Sequence, residues 1–170
     1  MKTLEDARAL AKGLTSIGKG YGLQTRALLT NMNQPLGRMV GNSIEVSECI
    51  SIMKREDFRG HSYKNFSDTE ELSVLLATHM VAIGKNISIE QAGAKVKSAL
   101  DSGKAYEIFE EVVETQGGVL KDLPQPTHEI KILAPENGYL AEINTERIGV
   151  AGICLGAGRQ NVEGKIDPVA

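Results

Sequence analysis

Tryptophan is absent from the 170 residues, and the other aromatics amount to three Phe and four Tyr. Stacking platforms for nucleic-acid bases are therefore scarce, and a formal net charge of -3 leaves no basic footprint for a phosphate backbone. Nucleic acid is not the expected partner. Cysteine is scarce too: Cys49 and Cys154 stand alone and far apart, which matches neither a disulfide framework nor a zinc site. Read as small buried hydrophobes, they suit a reducing cytoplasm. No apolar run approaches the roughly 18 residues of a membrane span, and Met1 to Asp6 lacks the apolar stretch of a secretory signal. A soluble, cytoplasmic protein with no membrane partner is expected.

What is present is ordinary globular material, 41% hydrophobic and 24% charged, long enough for one domain with a core or one domain plus a small appendage. Thr3 followed by Asp6 is a variant capping box, and Leu4, Ala7, Leu10, Ala11, Leu14 and Ile17 recur at helical spacing, predicting a helix to about Lys19. After Gly18, Gly20 and Gly22, residues 23–30 read as a short apolar strand. The loop that follows, Asn31 to Gly41, carries Pro35 and Gly37 and ends where Asn42 and Glu45 can cap a second helix. Its buried stripe is expected at Ile44, Ser47, Cys49, Ile50 and Met53. Residues 55–66 show no period and read as a surface crossover. A third helix opens at Ser67 and Glu70 with an apolar face of Leu72, Leu75, Leu76, His79, Met80 and Ile83. Ser88 and Gln91 cap a fourth over 92–100, and Ala105, Ile108, Phe109, Val112 and Val113 trace a fifth.

Composition shifts at Leu123-Pro124-Gln125-Pro126, a stiff linker because each proline fixes its own φ and disfavours helix before it. Beyond it residues 128–133 alternate polar and apolar, and Glu136-Asn137-Gly138 turns into a second strand over 139–143. The fold expected is α/β: the helix-rich part of a mixed α/β domain over 1–122, a linker over 123–127 and a small incomplete β (α+β) appendage over 128–170.

Candidate chemistry is thin. Gly156-Ala157-Gly158-Arg159 invites a phosphate-loop reading, but the P-loop spacing and the helix that should follow the glycines are missing, so a tight turn between strands competes with it. His61, His79 and His128 lie on different elements without ligand spacing, and His79 reads as a hydrogen-bonded core histidine. Glu45 and Glu48 share one side of their helix. The helix dipole explains Glu45; Glu48 sits deeper, where an oxygen-lined cation site and a purely structural carboxylate both remain open.

The stretch Leu29-Thr30-Asn31-Met32-Asn33-Gln34-Pro35-Leu36-Gly37-Arg38 with Val40 to Val46 resembles the signature region of thymidine phosphorylases and the related pyrimidine nucleoside phosphorylases. Ser102-Gly103-Lys104-Ala105, Phe109 and Gln116-Gly117-Gly118 continue the likeness, as do Gly138-Tyr139-Leu140, Leu155 to Arg159 and Ile166-Asp167-Pro168. The resemblance implies a transferase of nucleoside salvage, which cleaves a pyrimidine deoxynucleoside with inorganic phosphate as co-substrate and needs no other cofactor. It also implies that Met1-Lys2-Thr3 falls inside the family's large domain. The family's Lys-His-Ser segment, glycine-rich loop and Arg…Ser…Lys base-binding set would precede it, so no catalytic, phosphate-binding or base-binding residue is assigned here. One family feature maps: a monovalent or calcium ion held by the carbonyls of Leu36 and Met39 and the carboxylate of Glu48. Asn31 departs from the family's usual Asp and removes a charge there. Three readings follow: phosphorylase material inactive without its other part, a non-catalytic binding or assembly module, and a non-functional remnant. Self-association or pairing with a missing N-terminal half is expected from the sheet edge such a chain would expose.

Overall fold

A computed structural model describes residues 3–159 and 163–170; Met1 and Lys2 of the Met1-Lys2-Thr3 stretch lie outside the described residues. Among the described residues the chain forms α1 (Leu4–Gly20), α2 (Asn42–Lys54), α3 (Ser67–Lys85), α4 (Ile89–Asp101), α5 (Lys104–Thr115) and α6 (Thr145–Leu155). Short 3-10 turns occupy Tyr63–Phe66 and Leu120–Asp122.

Thr3 caps α1 as its spacing requires, its hydroxyl oxygen accepting from the Asp6 N–H at 3.1 Å. The full capping box forms at α4, where Ser88 and Gln91 exchange side-chain and backbone hydrogen bonds. Between α3 and α4 the chain bends by 118°. Asn86 takes the left-handed conformation (φ 51°), and the Ile87 N–H reaches back to the Ala82 carbonyl at 3.1 Å. This tight return brings Thr78 of α3 against Gly93 of α4, and the small residues Ala82 and Ala92 are buried on the same two helices.

The core is small: Met39, Ile52 and the fully buried Phe66, with Ile44, Phe58 and Tyr63 packed on it. Two expectations need correction here. The segment 55–66 is no mere surface crossover, since it delivers Phe58, Tyr63 and Phe66 to that core. The buried face of α2 is Ser43, Ser47, Glu48, Ser51 and Ile52, whereas Cys49 and Cys154 are both exposed. Apolar and small residues surround α2 on several sides, so periodicity alone could not say which side the loop and the core would cover.

Helix α3 departs in the same way. Thr69, Thr78 and Ala82 are buried, while Leu75 (44% exposed), Leu76 (41%) and Met80 (72%) face outward. Helix α1 buries no residue, although Leu10, Leu14 and Ile17 recur at helical spacing along it.

No β-ladder forms among the described residues; the one pairing is an isolated bridge between Phe58 and His61. The three stretches that read as strands, 23–30, 128–133 and 139–143, run without ladder partners, and Ile130, Ile132 and Leu133 are 88%, 92% and 82% exposed. A strand exists only against a neighbour that accepts its hydrogen bonds, which local pattern cannot supply.

The C-terminal segment rests on the start of α2. The Asn42 and Ser43 N–H groups donate to the carbonyls of Ala170 (2.8 Å) and Pro168 (3.1 Å), filling orphan donors of the first turn. Asn42 does not cap its own helix; Gly41 stands at that position. The Asn42 amide instead donates to the carbonyls of Ala157 and Asp167, each at 3.0 Å.

Candidate functional site

The loop between the unpaired segment and α2 is built around carboxylates that accept from its backbone. Glu48, one and a half turns into α2 and only 3% exposed, takes the N–H groups of Arg38 (2.8 Å) and Met39 (2.9 Å) on Oε2. Its Oε1 takes the Thr69 hydroxyl from α3 at 2.9 Å. Asp68 accepts from the Gly37 N–H at 2.9 Å, and Glu45 reaches back to the Gly41 N–H at 3.0 Å. Three carboxylates, Glu45, Glu48 and Asp68, thus accept from backbone N–H groups of residues 37–41.

Gly37 is required twice over. Its φ of +72° belongs to the left-handed region, and a Cβ there would run into the Glu48 carboxylate and the Thr69 hydroxyl. Hydrogen bonds to an ionised acceptor are stronger than neutral ones, so this clamp holds the loop more firmly than turn propensity would.

The loop forms the wall of two cavities. One, of about 460 Å³, is lined by Thr30, Asn31, Gln34, Glu45 and Asp68, with Thr145 of α6 opposite. The other, of about 480 Å³, lies on the far side of Val40, between Val46, Cys49 and Phe109 and the α6 residues Gly149 and Ile153. Although Cys49 is exposed as a residue, its thiol is held above its ordinary pKa, chiefly by partial burial and then by the charges of Glu48 and Glu45.

Neither reading of Gly156 to Arg159 is what forms. Gly156 (φ 104°) closes α6, and the Gly156 and Ala157 N–H groups are spent on the carbonyls of Ile153 (3.1 Å) and Gly152 (2.9 Å). These amides face a helix C-terminus, where the dipole disfavours an anion. His79 is not a core histidine either; its Nδ1 lies 3.0 Å from Arg26 Nη1, on the exposed side of α3. His61 tilts against Phe66, and His128 meets the Thr127 hydroxyl.

The groups that meet the Glu48 carboxylate are N–H and O–H donors, and a hard cation would have to use the position that they leave open. Among the described residues this buried carboxylate meets no cationic side chain, and three of its roughly four lone-pair positions are taken by the bonds above. Met39 is one of the two residues whose N–H groups it binds, and Leu36 lies two positions before the other, Arg38.

A sequence model described as the glycosyl transferase family, a/b domain, matches residues 1–106, and the chain belongs to that family. Over 98% of its length the chain is 39% identical to a pyrimidine-nucleoside phosphorylase of Bacillus subtilis (strain 168). It is 41% identical to one of Staphylococcus aureus (strain bovine RF122 / ET3-1) and 38% identical to one of Geobacillus stearothermophilus. In each case it spans 38% of the relative's length. The resemblance carried by the signature stretch is borne out.

Asp68 and Thr69 went unmarked in the sequence, because an acid and a hydroxyl at a helix start read as ordinary first-turn residues. A signal was nonetheless there: Ser67-Asp68-Thr69 follows Phe66, whose burial pins the start of α3 beside the loop.

Proposed function

We propose that this chain is the later a/b-domain part, with the opening of the following β domain, of a pyrimidine-nucleoside phosphorylase. In the complete enzyme, thymidine or another pyrimidine nucleoside and inorganic phosphate give the free base and 2-deoxyribose 1-phosphate. The observation that carries this reading is identity near 40% sustained over 98% of the chain. The division at 122 and 128, the completed α/β sheet, the β appendage and a cytoplasmic location belong to the same proposal.

The chain's own contribution is structural. The loop 31–41 supplies one wall of the nucleoside cleft, and the Glu48 carboxylate with the Leu36 and Met39 carbonyls holds a monovalent or calcium ion that braces the neighbouring phosphate loop. Such an ion supplies charge neutralisation when bound. Glu48 orients the Arg38 and Met39 amides whether or not the ion is present.

Phosphorolysis itself requires donors for phosphate and for the leaving base, which this reading assigns to the remainder of the enzyme. The purified chain should therefore release no thymine above background from thymidine and phosphate. Mixed with a polypeptide comprising the rest of the Bacillus subtilis relative, it should release thymine in strict dependence on phosphate. Turnover by the chain alone would overturn the assignment of the chemistry to the remainder; an inactive but fully assembled complex would overturn the phosphorylase reading and leave a non-catalytic module.

A further inference from the structure

We infer that Asn42 is a positioning residue that fastens the closing turn of α6 and residues 167–170 to the start of α2, and through α2 sets the order of the site loop. Only the loop's use as a cleft wall rests on the functional reading above. Both partners of the Asn42 side chain are main-chain carbonyls, those of Ala157 and Asp167, 115 and 125 positions away. A carbonyl only accepts, so the group between these two must bring two N–H donors. An amide does; the serine, threonine and aspartate that suit a helix start do not.

The docked segment is shaped for this place. The Asp167 N–H donates to the Gly156 carbonyl at 2.9 Å, which ties the segment to the residue that closes α6. The Asp167 carboxylate accepts from the Val169 N–H at 2.9 Å and turns the chain back. That turn presents the carbonyls of Pro168 and Ala170 to the Ser43 and Asn42 N–H groups, orphan donors that α2 itself cannot satisfy. Four hydrogen bonds thus join the first two residues of α2 to the α6 turn and to 167–170.

The site loop ends against this joint. Gly41 lies so close to the segment that a Cβ there would stand 2.9 Å from the Ala170 carbonyl oxygen, and its N–H is held by Glu45. Glu48, three residues further along α2, holds the Arg38 and Met39 N–H groups. Helix α2 therefore grips the loop with its carboxylates and the segment with its first amides. A helix is stiff, so a shift of its start moves both carboxylates against the loop.

A polar residue in the first turn of a helix also serves the helix alone, and Asn42→Asp separates the two roles. At pH 7 it keeps the shape of the side chain and puts a negative charge where the helix dipole favours one, so α2 alone is served as well or better. Toward two carbonyl oxygens it offers no donor.

Hydrogen exchange is read on the full chain at pH 7, without nucleoside or phosphate. In Asn42→Asp the amides of Asn42, Ser43 and Asp167 should exchange about fivefold faster or more, those of Met39 and Gly41 should follow, and the α4 amides should keep their rate. Asp167→Ala removes a side chain that bonds only within its own segment, yet it should speed the same loop amides. The double variant should add little to either, since both open one joint. The inference is overturned by an Asn42→Asp chain that keeps its protection, by loosening of 167–170 with Met39 and Gly41 unchanged, by α4 accelerating as much as the loop, or by additive effects in the double variant. Should Asn42→Asp fail to fold, Asp167→Ala decides: faster loop exchange with α4 unchanged upholds the inference, and an unchanged loop overturns it. An assembled complex without phosphate-dependent thymine release would sink the phosphorylase reading and leave this joint standing; thymine release with loop exchange unmoved by both variants would do the reverse.

Discussion

Two halves of the same surface treat polar and apolar groups in opposite ways. Around Glu48 the polar groups are buried and mutually satisfied: one carboxylate, one hydroxyl and two loop amides settle among α2, α3 and the loop. Around α1 and residues 24–30 it is the apolar groups that lack partners, and the main chain with them. Polar contacts of the first kind tie Glu48 to loop residues nine and ten positions before it and to Thr69 twenty-one positions after it, so they assemble where the loop, α2 and α3 meet. Hydrophobic cover is a matter of area and must come from whatever else is packed nearby.

The largest expected effect lies where the two regimes join. Phe66→Ala empties the only large side chain that is fully buried among the described residues, and the core has few others to collapse into the gap. A loss of about 3–5 kcal/mol is expected, read as a fall in the urea midpoint; a loss under about 1 kcal/mol would show that this core is not closed.

Glu48→Leu comes next. It keeps volume but strands the buried Met39 N–H and the Thr69 hydroxyl, at roughly 1–3 kcal/mol for each unsatisfied group. Amide exchange at Arg38 and Met39 should accelerate more than exchange in α4. Equal acceleration in both would mean that Glu48 supports the fold at large and not the loop.

Arg55 bridges α2 to Glu70 of α3 and, at 2.9 Å, to Asp101 of α4, with Tyr63 under its guanidinium. Arg55→Ala should cost on the order of 1 kcal/mol, chiefly through the part-buried pair with Glu70. The Asp101 carboxyl is held below its usual range by Arg55 first and Lys97 second. A depressed folded-state pKa gives stability that is present above the unfolded value, near pH 4, and is lost as pH falls through the folded value. The stability gap between wild type and Arg55→Ala should therefore narrow in urea titrations taken from pH 5 down to pH 3. A gap that stays constant would rule out the Asp101 contact as a contributor.

The smallest effect on stability is expected on the uncovered side. Leu14→Glu and Leu75→Glu remove exposed apolar area and should shift stability by less than about 0.5 kcal/mol while reducing self-association in sedimentation. A large destabilisation from either would show that these faces are covered within the chain.

Helix existence was legible because its signals are local. Thr3 and Ser88 caps, the glycines at 117 and 118 and the apolar recurrences placed α1 to α5 within a few residues of their observed bounds. Helix α6 is hard to read from the sequence, since its glycines at 149 and 152 weaken helical propensity and hide the Asn144 cap. The faces were the least legible part. Ser43, Ser47 and Ser51 line the buried side of α2 because a close-packed loop and tail favour small residues, whereas hydrophobic periodicity looks for large ones. At the site, Glu48 stood out for its depth in the helix, but its partner Thr69, and Asp68 that accepts from the Gly37 N–H, lie twenty or more positions away and carry no mark of the pairing.

By itself the sequence determined α1 to α5, the Thr3 and Ser88 caps and the family, since each depends on residues that are neighbours in the chain or on a string of matched identities. Tertiary structure alone decided that Glu48 binds amides of the loop before it, that the segment 163–170 settles on the start of α2, and that residues 24–30 remain unpaired. Those outcomes depend on which surfaces meet, and the free energy of meeting is set by groups far apart in the chain.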